Sequence, residues 1–141
     1  MTDLLSGALR FLRGLWRMPL AARIWVGWLV VANGMLPLVF WDHVEARATL
    51  AVFLTGAVLM AVITARTGFS RLLGAAHLLW YPLVLWLAFR LDTLRMELPV
   101  GLWIRAVMVT NAISLAIDTV DVVRWLRGDR AEMVEGRAEP S

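Results

Sequence analysis

The sequence has no cysteine, no lysine and a single tyrosine, and charged residues make up only 18% of its 141 positions. Without cysteine there is no disulfide scaffold, no thiolate metal site and no cysteine nucleophile. So few charges cannot cover the surface of a soluble domain of this length. Disorder is excluded from the other side, because 60% of the residues are hydrophobic and the mean hydropathy is +0.71. Phosphate loops of the G-x-x-x-x-G-K-[ST] and G-x-G-x-x-G kinds are missing, as are H-E-x-x-H and G-x-S-x-G. No cofactor and no metal is expected, and the reading leans away from an enzyme without excluding one. What remains is a small all-α integral membrane protein.

Four segments have the run of about 20 apolar helical residues needed to cross a hydrocarbon core. They are Ile24–Trp41, Ala46–Ala65, Leu72–Phe89 and a fourth within Val100–Trp125, centred on Ala106–Val123. Open strands would leave backbone groups unpaired in lipid, and the alternation of a barrel is absent, so the segments are predicted as helices. The organisation expected is a basic surface helix over 1–22, a four-helix bundle over 23–125 and a loose charged tail over 126–141.

All 14 basic residues are arginine, a composition associated with GC-rich bacterial genomes. Arg10, Arg13, Arg17 and Arg23 precede the first segment, Arg66 and Arg71 follow the second, and Arg124, Arg127, Arg130 and Arg137 follow the fourth. The loops at the opposite ends hold Arg47, Arg90 and Arg95, mixed with Asp42, Glu45, Asp92 and Glu97, and Arg105 is left near the headgroups at the start of the fourth segment. The positive-inside rule then predicts a bacterial inner-membrane protein with both termini cytoplasmic. Trp25, Trp28, Trp41, Trp86, Trp103 and Trp125 sit near segment ends, where an interfacial belt would hold them.

The first residues form an amphipathic pattern. Asp3, Ser6, Arg10, Arg13 and Arg17 share one helical face, and Leu5, Leu9, Leu12 and Trp16 share another. A basic helix on the headgroups, ended by Pro19, is predicted, with Arg10, Arg13 and Arg17 as lipid contacts. A signal peptide is the competing reading; the apolar run is too long and no small-x-small cleavage site follows. Pro37–Trp41 and Pro82–Trp86 match at four positions of five. Duplication of a two-helix unit would explain this, but the match ends there, and chance in a Leu- and Val-rich background is the preferred explanation.

Ionisable groups inside a membrane segment cost at least ~2.5 kcal/mol and ask for a partner or a purpose. Asn111, Ser114, Asp118 and Asp121 recur at helical spacing and make one polar stripe on the fourth segment. His77 in the third segment falls at the depth of Asp118. A titrating His77–Asp118 pair is the functional reading. The structural reading, which is preferred, has Asp118 and Asp121 pairing with loop arginines, Asp121 with Arg124 at i+3. Haem ligation is disfavoured, since His43 lies at the other side. Asp42, His43 and Glu45 are read as a solvated turn rather than a metal site.

A second polar layer is expected near mid-segment: Asn33, Thr55, Tyr81, Thr110 and Asn111. Pro37 and Pro82 kink their helices and free the carbonyls of Asn33 and Leu78. The layer either lines a ligand site or satisfies itself by interhelical hydrogen bonds, and packing is preferred. Ala57, Ala61 and Ala65, with Gly74, Ala75 and Ala76, favour close approach of helices. The basic patches flank membrane segments, so membrane lipids and not nucleic acid are the expected partners. With so little mass outside the helices, an accessory or assembly subunit of a membrane complex is the expected function. The partner would be another membrane protein or a second copy. The alternatives are a small proton-coupled transporter or channel working as an oligomer, and a binder of a lipid- or quinone-like ligand.

Overall fold

The computed structural model describes residues 2–93 and 99–133. These residues are helical with no strand among them, and four of the helices are long and apolar enough to cross a membrane. We number them α1 (Thr2–Arg17), α2 (Leu20–Val39), α3 (Val44–Thr67), α4 (Arg71–Thr93) and α5 (Pro99–Leu126). Arg95, Glu97 and Arg137 of the arginine pattern, and the tail beyond Met133, lie outside the described residues.

The first helix carries Asp3 in its first turn and Arg17 in its last, both favourable to the helix dipole. It packs on α3 through a third face that neither the leucines nor the arginines occupy. Gly7 sits over Ala61 and Ala65, so close that a Cβ there would stand 2.1 Å from the Ala61 carbonyl oxygen. Gly14 rests against the ring of Phe69, which also packs on Phe11. Small residues on both helices allow this approach. Leu5, Leu9, Leu12 and Trp16 stay exposed, as do Arg10, Arg13 and Arg17.

Pro19 caps α2, which therefore starts four residues before the expected Ile24. One turn of α2, Val31–Met35, is wound as a π-helix, and the Leu36 N–H reaches back to the Val31 carbonyl. Pro37 follows in the next turn. This winding leaves the Ala32 carbonyl without its usual helical donor, and the buried indole N–H of Trp103 on α5 takes it at 2.8 Å. Trp103 is thus a core residue and not a member of an interfacial belt. Trp25 is likewise turned inward, its N–H donating to Ser114 at 3.1 Å.

Helix α3 ends at Gly68, whose φ of +71° is a glycine conformation. The next helix begins as a 3₁₀ segment over Arg71–His77 and becomes α-helical only from Trp80. Pro82 falls early in that α-helical part, and the Leu78 carbonyl it would leave free accepts from the Tyr81 N–H at 3.3 Å. In α5 the helix runs straight through Arg105 and begins at Pro99, seven residues before the expected start. It closes in a Schellman turn, with Gly128 N–H on the Trp125 carbonyl and Asp129 N–H on that of Arg124.

The hydrophobic core joins α2, α4 and α5 through Leu29, Ala32, Trp80, Leu87, Ile104 and Val107. The tail expected to fray after Trp125 is instead tied down as far as Met133. Glu132 Oε1 accepts from the Phe69 N–H at 3.2 Å, and Met133 N–H donates to the Phe69 carbonyl at 2.8 Å. These bonds join the strap after α5 to the turn between α3 and α4, and that turn leads directly into the polar side chains of α4.

Candidate functional site

A 3₁₀ helix has three residues per turn, so Arg71, Gly74 and His77 fall in line on one edge of α4. That edge faces α5, where Asp118 and Asp121 are one turn apart. His77 Nδ1 and Asp118 Oδ2 are 2.7 Å apart. Arg71 Nη1 donates to Asp121 Oδ1 at 2.8 Å. Between these two pairs, Gly74 lets α4 touch the α5 backbone, for a Cβ there would lie 2.9 Å from the Asp118 carbonyl oxygen.

The network continues toward the strap. Arg71 Nε donates to Asp129 Oδ2 at 3.1 Å, and Arg124 Nη2 donates to the same oxygen at 2.7 Å. Arg124 therefore pairs with Asp129, and not with Asp121 as its spacing suggests. The Schellman turn folds Asp129 back over the last turn of α5, within reach of the guanidinium. These groups are only partly buried, so each pair contributes modestly and the network positions side chains more than it stabilises the fold.

A carboxylate only accepts hydrogen bonds, so with Asp118 ionised and His77 neutral the imidazole proton sits on Nδ1 and Nε2 carries the lone pair. The imidazole is held flat against the Trp80 indole, with ring centroids 4.1 Å apart and an interplanar angle of 26°. Among the described residues Nε2 has no hydrogen-bond partner.

Both pairs stand in the wall of a cavity of about 490 Å³, within the size range of sites that hold small molecules. Its floor and sides are apolar, supplied by Phe11 and Leu15 of α1, Leu29 of α2, and Phe53 and Met60 of α3. Gly56 and Ala57 keep the α3 side open, and Met133 of the strap closes one margin. Arg71, His77, Asp118 and Asp121 are the charged or titratable residues in the wall. Trp80 stands beside them, buried, with its indole N–H unpartnered.

The second polar layer does not assemble as one site. Asn33 and Asn111 meet, both fully buried, and exchange two hydrogen bonds of 3.0 and 2.8 Å. Asn33 also donates to the Leu29 carbonyl at 3.1 Å. Thr55 and Thr110 bond the carbonyls of Ala51 and Ala106 in their own helices. The Tyr81 and Thr119 hydroxyls bond each other. None of Asn33, Thr55, Tyr81, Thr110 or Asn111 lines the cavity that holds His77 and Asp118; Tyr81 and Pro82 line a second, apolar hollow between α4 and α5.

At the opposite end of the bundle the structure buries a charge that the sequence reading left in solvent. Glu45 is 2% exposed in the first turn of α3, with its Oε1 2.7 Å from Arg90 Nε. Its position at a helix N-terminus was the available signal, since an acid there is favoured by the helix dipole. Among the described residues no group of three or more histidines and acids is placed to hold a metal ion.

Compared with protein families, with curated proteins and with solved structures, the chain matches none.

Proposed function

We propose that this protein is a membrane-embedded binding protein for a lipid-like ligand. The observation that carries the reading is the cavity: about 490 Å³, apolar over most of its wall, with His77, Asp118, Asp121 and Arg71 gathered on one side. An amphiphile suits such a site, its tail against the apolar wall and its head at the polar edge. In this reading α2–α5 span the bacterial inner membrane with both termini cytoplasmic, which the arginine distribution supports. The exposed Leu5, Leu9, Leu12 and Trp16 of α1 then lie in the headgroup boundary beside Arg10, Arg13 and Arg17.

An accessory role in a larger complex is less well supported. It rests on the small mass outside the helices, on the lack of a catalytic constellation and on the polar stripe of α5 as a docking face, but each member of that stripe has a partner inside the chain. Asn111 bonds Asn33, Ser114 accepts from Trp25, Asp118 pairs with His77 and Asp121 with Arg71. A proton-coupled carrier is the second reading, favoured by the His77–Asp118 pair in the cavity wall. It predicts that Asp118→Asn abolishes transport into vesicles without loss of ligand binding.

The test is native mass spectrometry of the protein released from its own membranes. The expected result is a small molecule retained in stoichiometric amount, and its loss in Ala57→Trp, which fills the cavity from α3. Wild-type protein that emerges without a bound molecule, or an Ala57→Trp variant that retains it equally, would overturn the proposal.

A further inference from the structure

We infer that the ligand's head is uncharged and carries a hydroxyl, an inference that rests on the cavity being a ligand site. The charges in the wall decide this. One guanidinium, Arg71, faces two carboxylates, Asp118 and Asp121, and it is already engaged by Asp121 and by Asp129 behind it. The charge of Asp129 is in turn shared with Arg124. With His77 neutral the wall is negative, and with His77 protonated it is balanced. In neither state does it offer an uncommitted cation to a phosphate or carboxylate head. An anion brought here would desolvate against a neutral or negative surface.

The hydrogen-bonding capacity points the same way. Nδ1 of His77 is committed to Asp118, so in the neutral imidazole the open valence is the Nε2 lone pair. Asp118 Oδ1 and Asp121 Oδ2 also have no hydrogen-bond partner among the described residues. With His77 neutral this edge presents acceptors to the cavity, with the unpartnered indole N–H of Trp80 beside them, and the matching head is one that donates and can also accept. A hydroxyl and an ammonium both donate. The ammonium would have to shed its hydration inside a cleft that is apolar apart from this edge, where both carboxylates are already paired. A hydroxyl meets the acceptors at much smaller desolvation cost. The seating of His77 supports the assignment: stacked on Trp80 and bonded to Asp118, it holds Nε2 in one place, as a recognition group requires.

The experiment uses three probes with the same oleoyl-length tail, added to the full-length protein in phosphatidylcholine nanodiscs. They are monooleoylglycerol, oleoyl lysophosphatidate and oleylamine, and binding is followed by tryptophan fluorescence and native mass spectrometry. Monooleoylglycerol is expected to bind at least tenfold more tightly than either charged probe. His77→Phe, which keeps a ring on Trp80 but has no Nε2, is expected to reduce its affinity at least tenfold and to level the three probes. The head-group ranking is read on the unaltered protein, so it holds even if that variant does not fold. Tighter binding of lysophosphatidate or oleylamine overturns the head-group inference and leaves the cavity as a ligand site. Failure of all three probes to bind overturns both.

Discussion

Asn33 on α2 and Asn111 on α5 form a closed amide pair, each side chain donating to the other's carbonyl oxygen in the fully buried interior. A buried amide that loses its partner pays the desolvation of its own polar atoms, whereas removal of both leaves apolar contact. The pair is therefore a coupled unit, and it sets the rotation of α2 against α5 below the cavity.

For that pair, Asn111→Leu is expected to destabilise by about 1–3 kcal/mol. Asn33→Leu combined with Asn111→Leu should cost less than the sum of the two single changes. Equilibrium unfolding of the four proteins in a double-mutant cycle checks this, and strict additivity would mean that the amides do not act together.

Gly7→Leu places a side chain where the Ala61 carbonyl already stands. It is expected to lift α1 from α3 and leave the rest of the bundle folded. Trypsin should then cut at Arg10, Arg13 and Arg17 faster than in the wild type, with the later fragments unchanged. An unaltered digestion rate would show that α1 holds its place by other contacts.

Replacing Gly74 with valine forces α4 away from the α5 backbone at Asp118. Overpacking of this kind costs roughly 1–3 kcal/mol. It should also separate His77 from Asp118, so the His77 imidazole resonances in the NMR spectrum are expected to move even where the protein remains folded.

The Glu45–Arg90 pair makes an asymmetric prediction. Arg90→Met leaves an ionised carboxylate buried without that partner and is expected to cost about 3–5 kcal/mol. Glu45→Gln frees Arg90, which is 39% exposed and can turn to water, so its cost should be clearly smaller. Thermal unfolding of the two variants side by side decides it.

Much of this arrangement was legible in the sequence. Long apolar runs leave the backbone few alternatives to helix, and the third and fourth segments placed His77 and Asp118 at one depth. Their meeting follows from depth and from the i+3 stripe on α5. The helix ends were harder to read, because Arg105 does not interrupt α5 and Pro19 starts α2 early. Rotation about a helix axis is not written in periodicity when a segment is apolar on most sides. That is why Asn33 and Asn111 meet while Thr55, Thr110 and Tyr81 find partners elsewhere. The docking of α1 had a signal in Gly7 and Gly14, seven residues apart on one face, with Gly7 matched to Ala61 and Ala65 of α3. Asp129 was out of view because its pairing with Arg71 and Arg124 depends on the turn at Gly128.

The 3₁₀ winding at the start of α4 also couples reach to rotation. A 3₁₀ helix rises about 2.0 Å per residue against about 1.5 Å in an α-helix, so the six steps from Arg71 to His77 extend roughly 3 Å further than an α-helical stretch would. Rewinding them as α-helix would shorten the segment by that amount. It would also swing His77 about 120° around the axis relative to Arg71. With Arg71 held on Asp121 and Asp129, His77 would leave Asp118; with His77 held, Arg71 would leave Asp121. At the cavity edge the pitch of the helix and the direction of its polar face are thus tied, and either can change only with the other.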